Sequence, residues 1–152
     1  MQGLLTSHHT APATGVLVMD ILHRQVDDAL HATLTSDDHG FLPRFRTLVA
    51  TLEDTFATEE SWMDEIDYPA TKSHREQHAR VLSGMHHVHC SLMGGDVGAA
   101  RTVVACLLPD WLKLHVATLD TALAMYLQVT GMSQLESPLS AGQLLTRPEF
   151  WQ

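Results

Sequence analysis

Two histidines four residues apart, His74 and His78, form the stretch of this sequence best suited to metal chemistry. On a helix, residues at this spacing lie one turn apart on the same face, so both imidazoles can reach one ion. Histidine is the commonest protein metal ligand, and the chain has 11 histidines against nine lysines and arginines. This combination indicates a metal site, provided that other helices bring matching ligands to it.

Four further polar residues lie on or beside the predicted apolar helix faces. His23 and His115 continue apolar stripes, where a core histidine bonded to the backbone is the alternative reading. Glu59 lies on an apolar face, where a carboxylate is costly unless it is paired or binds a metal. Asp120 follows His115 by five residues, about 140° around a regular helix. Both can face inward only if they straddle the stripe or if the helix is locally irregular. The neighbouring Glu60 is expected to face solvent.

The hydrophobic periodicity predicts an all-α protein, an up-down-up-down four-helix bundle with an N-terminal arm and a C-terminal tail. Asp20 is expected to cap the first helix, Pro43 to begin the second, and Thr71 or Ser73 to cap the third. Pro109 predicts a kink or an irregular turn in the fourth helix. A turn is expected over residues 37–40. The predicted helices are 20–36, 43–66, 71–93 and 99–129.

Consecutive helices of such a bundle are antiparallel, so the depth of each polar residue can be compared. The polar residues of the first and third helices lie near the starts of those helices. The polar residues of the second and fourth helices lie in the later parts of theirs. All six therefore lie toward one end of the bundle, which favours one shared metal site. Histidines with carboxylates suit iron, manganese or zinc, and carboxylates in a bundle core can bridge two ions. The six are His23, Glu59, His74, His78, His115 and Asp120.

Composition narrows the classes of partner and compartment. The length predicts one domain, and the formal net charge of −9 argues against nucleic acid or an anionic membrane surface as a partner. Two cysteines outside any C-x-x-C pattern, Cys90 and Cys106, favour a reducing compartment. Neither a signal peptide nor an apolar run long enough to span a bilayer is evident. These features predict a cytoplasmic protein.

Over residues 14–127 the sequence resembles the hemerythrin family in its bacterial form. Residues 1–130 would form the hemerythrin-like bundle, with residues 1–15 as its arm and residues 131–152 as a tail. Four segments together carry the resemblance, and they are Thr14-Gly15 with Asp20-Ile-Leu-His23, Phe56-Ala-Thr-Glu59-Glu60-Ser-Trp-Met63, Tyr68-Pro69 with His74-Arg-Glu-Gln-His78, and Trp111-Leu-Lys-Leu-His115-Val-Ala-Thr-Leu-Asp120.

The resemblance implies two iron ions joined by an oxo or hydroxo bridge. His74, His78 and His115 would bind the first iron, and Glu59 and Asp120 would bridge the pair. His23 would bind the second iron, where the family binds oxygen. In the family pattern a further histidine precedes the bridging glutamate by four residues, and here that position is Thr55.

Thr55 is expected to leave the second iron more open, because a neutral threonine is a poor ligand. Water, a small anion or another side chain would fill the position, or only one metal position would be occupied. Easy access for O2, peroxide, nitric oxide or azide should follow, with rapid oxidation and a less stable oxygen adduct. The resemblance therefore favours an oxygen or redox sensor. The alternatives are an oxygen carrier or store, an enzyme of the peroxidase or ferroxidase kind, which is less favoured, and a bundle without metal.

The tail over residues 137–150 resembles the opening of a GGDEF diguanylate cyclase domain, although Ser137 stands where that pattern has Asp and the catalytic domain is absent. This resemblance implies a sensor domain with a cyclase domain or a second copy of the chain as partner. The alternative is a capping segment whose apolar residues pack on the bundle. Those residues are Leu144, Leu145, Phe150 and Trp151.

Overall fold

The computed structural model describes residues 12–132, which contain four helices and no strand. Short turns join consecutive helices, and the fold class predicted from periodicity, an all-α helical bundle, is confirmed. The tail segment 137–150 and most of the predicted arm lie outside the described residues. The helices are α1 (Leu17–Leu34), α2 (Asp38–Glu65), α3 (Thr71–Met93) and α4 (Val97–Val129).

Helices α2 and α4 begin at the same end of the bundle. Arg101 in the first turns of α4 donates to the carboxylate of Asp38, the first residue of α2, at 2.8 Å, and to the Ser36 carbonyl at 3.0 Å. Helix α1 packs on α2 and also contacts α4. The bundle therefore closes on itself, and each helix can turn one face toward a common interior.

The first two helices begin earlier than the sequence predicts. Asp20 does not cap α1, because its Oδ1 instead accepts hydrogen bonds from the backbone nitrogen and Oγ1 of Thr14, at 2.7 and 2.8 Å. Helix α2 begins at Asp38, where Asp37 accepts a bond from the Gly40 nitrogen at 2.8 Å. The expected turn at residues 37–40 is thus the cap and first turn of α2. Pro43 does not begin the helix but is its sixth residue, so the carbonyl of His39, four residues earlier, lacks its usual backbone donor.

The third helix ends at Met93 as predicted, but it begins at Thr71, before or at both of the residues expected to cap it. Neither Thr71 nor Ser73 caps it, since their hydroxyls donate to the carbonyls of Tyr68 and Ala70 in the preceding turn. The residue before the helix is Ala70, which has no side-chain acceptor to offer. These hydroxyl bonds instead fix the turn that leads from α2 into α3.

Helix α4 begins at Val97 and contains two segments with π-helical hydrogen bonding, Val103–Leu107 and Val116–Asp120. The first lies just before Pro109, which confirms the irregular turn expected there. Proline lacks the N–H that an α-helix uses and crowds the preceding turn, and a wider turn relieves both problems. The second π segment has no proline near it and was not predicted as such.

By length and composition alone, α4 could cross a membrane, and in this respect the expectation of no such apolar run was wrong. The finding is weak, because a core helix of a soluble protein meets the same criteria. Helix α4 also carries buried His115 and Asp120 within the bundle.

The apolar core is divided into two clusters. The larger extends from Val26 and Leu30 on α1 to Leu108 on α4, and it includes most of the buried face of α2. The smaller closes the other end with Met19, Trp62 and other residues near the start of α1 and the ends of α2 and α4. Along the sequence of α1, α2 and α4, the predicted metal-binding residues lie between the residues of one apolar cluster and those of the other. They form a polar layer inside an otherwise apolar bundle.

Candidate metal centre

Each helix contributes to the polar layer. His23 comes from α1, Glu59 from α2, His74 and His78 from α3, and His115 and Asp120 from α4. All six side chains are buried, and none is more than 6% exposed. The structure therefore brings together all six residues singled out from the sequence, at the common depth that an antiparallel bundle implies.

The second π segment explains how His115 and Asp120 both face inward. It covers Val116–Asp120, the residues between the histidine and the aspartate. Hydrogen bonds from i to i+5 add a residue to the turn, so positions five apart come onto one face. Thr121 stabilises this turn, because its hydroxyl donates to the Val116 carbonyl at 2.7 Å. Of the two possibilities left open by the sequence, local irregularity is the one observed.

Three imidazoles meet at one side of the cluster. The Nε2 atom of His115 lies 3.2 Å from the Nε2 atoms of both His74 and His78. One ligand atom from each of these histidines, from Glu59 and from Asp120 lies within 4.8 Å of the others, a grouping that could hold a metal ion. Three nitrogens pointed at one another cannot all be satisfied by hydrogen bonds among themselves, since each neutral ring has one donor. A shared cation would satisfy all three.

The two carboxylates face both sides of the cluster. Glu59 directs Oε2 to His78 Nε2 at 3.2 Å and Oε1 to His23 Nε2 at 3.5 Å. Asp120 directs Oδ1 to His115 Nε2 at 3.0 Å and Oδ2 to His23 Nε2 at 3.0 Å. Each carboxylate thus lies between the three-histidine side and the His23 side. This is the arrangement needed to bridge two positions.

The hydrogen bonding of these atoms fits a metal site. Among buried side-chain nitrogens and oxygens in the described part of the chain, seven lack a hydrogen-bond partner, and six of them belong to His23, Glu59, His74 and Asp120. Four of these six atoms face the cluster, where a cation could bind them, and they are His23 Nε2, both Glu59 oxygens and Asp120 Oδ1. The other two are the Nδ1 atoms of His23 and His74, on the far side of each ring from the Nε2 that faces the carboxylates. Leaving buried polar atoms unsatisfied is costly, and metal coordination removes that cost.

The charges of the metal-free cluster are strongly coupled. Burial tends to lower the pKa of His23, but the carboxylates of Asp120 and Glu59 outweigh it and raise that pKa to about 10. Burial likewise opposes ionisation of Asp120, yet His115, His23 and His74 hold its pKa well below the usual value. Without metal, His23 is therefore an imidazolium paired with carboxylates, and a bound cation would replace its proton.

Glu60 holds His78 in place, which the sequence prediction of a solvent-facing side chain missed. His78 Nδ1 lies 3.0 Å from Glu60 Oε1, so Nδ1 can donate while Nε2 faces the cluster. Glu60 is in turn 3.4 Å from Arg75, which donates to Asp64 at 2.6 Å. Burial lowers the pKa of His78, but Glu59 and Glu60 outweigh it and raise that pKa. A carboxylate behind a ligating histidine commonly fixes its tautomer. The pairing joins two helices, so no spacing in the sequence indicates it.

Two aromatic rings fix the orientation of the imidazoles. Phe56 stacks on His78 with ring centroids 4.0 Å apart and an angle of 5° between the planes. Trp111 stacks on His115 at 4.4 Å and 18°. These contacts shield the three-histidine side of the cluster and restrict rotation of the rings.

A cavity of about 20 Å³ adjoins the His23 side of the cluster. That volume suffices for about one water molecule. Its lining includes His23, Thr55 and both carboxylates, and also Asp27 on α1. Thr55 is 2% exposed, so the position that carries a histidine in the family pattern is buried beside this space. Asp27 was not among the predicted site residues, although its spacing of four residues from His23 could have indicated it.

His89 lies apart from the cluster, as its distance along α3 predicts. Its Nε2 accepts a hydrogen bond from Arg46 Nε at 3.3 Å, and its ring stacks on Phe45. It is thus a bonded, partly buried histidine among apolar residues. No role in metal binding follows for it.

The chain is similar to a bacteriohemerythrin. That protein, from Ralstonia nicotianae, is 28% identical over 117 residues, which are 77% of this chain and 85% of the relative. No family model and no solved structure matches the sequence. The identity and the buried histidine and carboxylate cluster together support a hemerythrin-like domain. They lend no support to the resemblance of the tail to a cyclase domain, which stays a prediction.

Proposed function

We propose that this hemerythrin-like domain is a non-haem di-iron protein that binds O2 or a related small ligand and acts as an oxygen or redox sensor. The observation that carries the proposal is the two-sided placement of Glu59 and Asp120, each with one oxygen toward three histidines and one toward His23. Such a donor set suits two iron ions. The similarity to a bacteriohemerythrin supports iron over manganese or zinc.

The residues of the chain have separate tasks in this proposal. His74, His78 and His115 hold the first position, the two carboxylates span both positions, and His23 holds the second. Iron bound there would supply the redox chemistry and a place for a small ligand. Glu60 keeps Nε2 of His78 turned inward, and the stacked aromatic rings exclude water from the three-histidine side.

The asymmetry between the two sides favours sensing over carriage. The three-histidine side is covered by aromatic rings, whereas the His23 side adjoins the cavity lined by Thr55. A small ligand therefore has space beside the second position. Having fewer neutral nitrogen donors there should favour rapid oxidation over a stable oxygenated state, which suits a signal better than a store.

Metal content and absorption spectra on air exposure test this proposal. The protein is loaded anaerobically with Fe²⁺, freed of excess metal, analysed for iron and then mixed with air-saturated buffer. We expect about two irons per chain and oxidation without a lasting oxygenated spectrum. The matched variant is Thr55→His, which restores the family ligand and should slow oxidation.

Other outcomes point elsewhere. A long-lived oxygenated spectrum in the wild-type protein would replace sensing with carriage or storage. Sustained turnover of peroxide would revive an enzymatic role, which the proposal does not include. If the purified chain retains no stoichiometric metal, the proposed metal site is refuted, and the buried carboxylates have no assigned function.

A further inference from the structure

The cavity beside His23 is lined by an aspartate, Asp27, that none of the sequence motifs above includes. Asp27 lines it together with His23, Thr55, Glu59 and Asp120. Asp27 is half-buried, whereas the next residue, Asp28, is exposed. A carboxylate at the wall of a small interior space, beside a group of buried metal-binding side chains, is placed to act on whatever occupies that space.

Helix geometry places Asp27 at the same level as Thr55. Asp27 follows His23 by four residues on α1, and Thr55 precedes Glu59 by four residues on α2. Four residues are about 6 Å along a helix and return to nearly the same face. Because α1 and α2 are antiparallel, one step forward on α1 and one step back on α2 move in the same direction along the bundle. The two residues therefore line the cavity at the same level of the bundle, Asp27 from α1 and Thr55 from α2.

We propose that the Asp27 carboxylate binds the second metal ion and takes the place of the imidazole that Thr55 lacks. This inference rests on the di-iron proposal above. Carboxylate oxygen is a good ligand for iron, and Asp27 already lines the cavity of about 20 Å³ that adjoins His23, Glu59 and Asp120. The second position would then be held by His23, Asp27 and the two bridging carboxylates.

Using the Asp27 carboxylate in place of an imidazole at position 55 would change the net charge of the ligands around the second ion. An imidazole at position 55 would be a neutral donor, whereas Asp27 adds a negative charge. With Glu59 and Asp120, three carboxylates would then surround the pair of ions. An anionic donor favours the more highly charged, oxidised metal, which agrees with a site tuned for rapid oxidation.

Anaerobic titration with Fe²⁺, followed by metal analysis, tests the role of Asp27. The variants are Asp27→Asn, which keeps the shape and removes the charge, and Asp27→Ala. We expect both to keep the first ion and to bind the second about tenfold or more weakly. Asp28→Asn is the matched control, because it makes the same change one residue away on an exposed site. Far-ultraviolet circular dichroism verifies that each variant keeps its helices.

A rescue variant separates loss of a ligand from general damage. Adding Thr55→His to Asp27→Asn should restore uptake of the second ion, since an imidazole on α2 then supplies the missing donor to the same cavity. If Asp27→Asn binds two ions as tightly as wild type, the role of Asp27 is refuted while the di-iron proposal stands. If wild-type protein itself fails to take up two ions, the di-iron proposal fails first, and the inference with it.

Discussion

The bridging carboxylates define the chemistry at the scale of single residues. Glu59 and Asp120 are almost fully buried, and each presents its two oxygens to different imidazoles. Burying two carboxylates in an apolar bundle costs free energy unless cations or hydrogen bonds compensate. In the metal-free protein the compensating cation is the His23 imidazolium, and in the loaded protein it would be the metal.

This exchange predicts a pH dependence for the metal-free protein. The pKa of His23 is raised to about 10 in the folded state, against an ordinary value of 6.5 for a free histidine. The stabilisation is complete below pH 6.5 and is lost as the pH rises through about 10. We expect the urea midpoint to fall across that window, and to fall less in His23→Gln. An equal fall in both proteins would show that His23 is not the group responsible.

The Glu60→Gln substitution tests the carboxylate behind His78. The amide still fills the space but no longer attracts the Nδ1 proton with a full charge, so His78 should hold metal less well. We expect metal affinity to fall about tenfold, as measured by competition with a chelator. Glu65→Gln, an exposed change on the same helix, should leave affinity unchanged. Equal affinities for the Glu60 variant and wild type would reduce Glu60 to a surface ion-pair partner.

At the scale of the helices, the irregular turns of α4 decide where its side chains point. A regular helix would carry Asp120 about 140° away from His115. The π segment Val116–Asp120 brings both onto the inner face, and the Thr121 hydroxyl bonds the carbonyl at its start. Local backbone irregularity thus serves the site, as π segments frequently do.

Removing the Thr121 hydroxyl should weaken this turn. Thr121→Val keeps the side-chain shape and leaves the Val116 carbonyl without that donor. We expect a loss of about 1 kcal/mol in the free energy of unfolding, together with weaker metal binding. Thr51→Val is the control, since the Thr51 hydroxyl also bonds a backbone carbonyl, that of Thr47, but on α2, away from the π segment and at a site where water can replace it. Similar effects of the two substitutions would contradict a special role for the π segment.

At the scale of the whole molecule, the polar layer divides the core. One apolar cluster lies on each side of it, and all four helices pass through it. Metal bound in this layer would join residues from every helix. Binding to the folded state alone stabilises that state by mass action.

Metal removal should therefore destabilise the entire bundle. At free metal about a thousand times the dissociation constant, the stabilisation is about 4 kcal/mol. We expect chelator treatment to lower the calorimetric melting temperature, and added Fe²⁺ under anaerobic conditions to restore it. Mg²⁺ at the same concentration should have little effect, because it prefers oxygen donors and keeps its waters. Identical melting temperatures with and without iron would argue against a site that joins the helices.

The sequence by itself determined the all-α bundle and the six inward-facing polar residues. Apolar periodicity reports which face of a helix is buried, and a histidine or carboxylate on that face stands out. The spacing of His74 and His78 follows from helix geometry alone. The short connections gave the antiparallel order, and with it the common depth of all six residues. Helix starts were less well predicted, because Asp20 bonds back to Thr14 instead of capping α1.

Only the tertiary structure decided how those residues relate across helices. Three features depend on the packing of separate helices. They are the pairing of Glu60 with His78, the cavity that Asp27 and Thr55 both line, and the contacts of each buried carboxylate with imidazoles on two sides. Such contacts join residues distant in sequence, so no local period encodes them. The π segment Val116–Asp120 was predicted only in part. The five-residue spacing of His115 and Asp120 allowed an irregular helix as one of two possibilities, and the structure shows that irregularity.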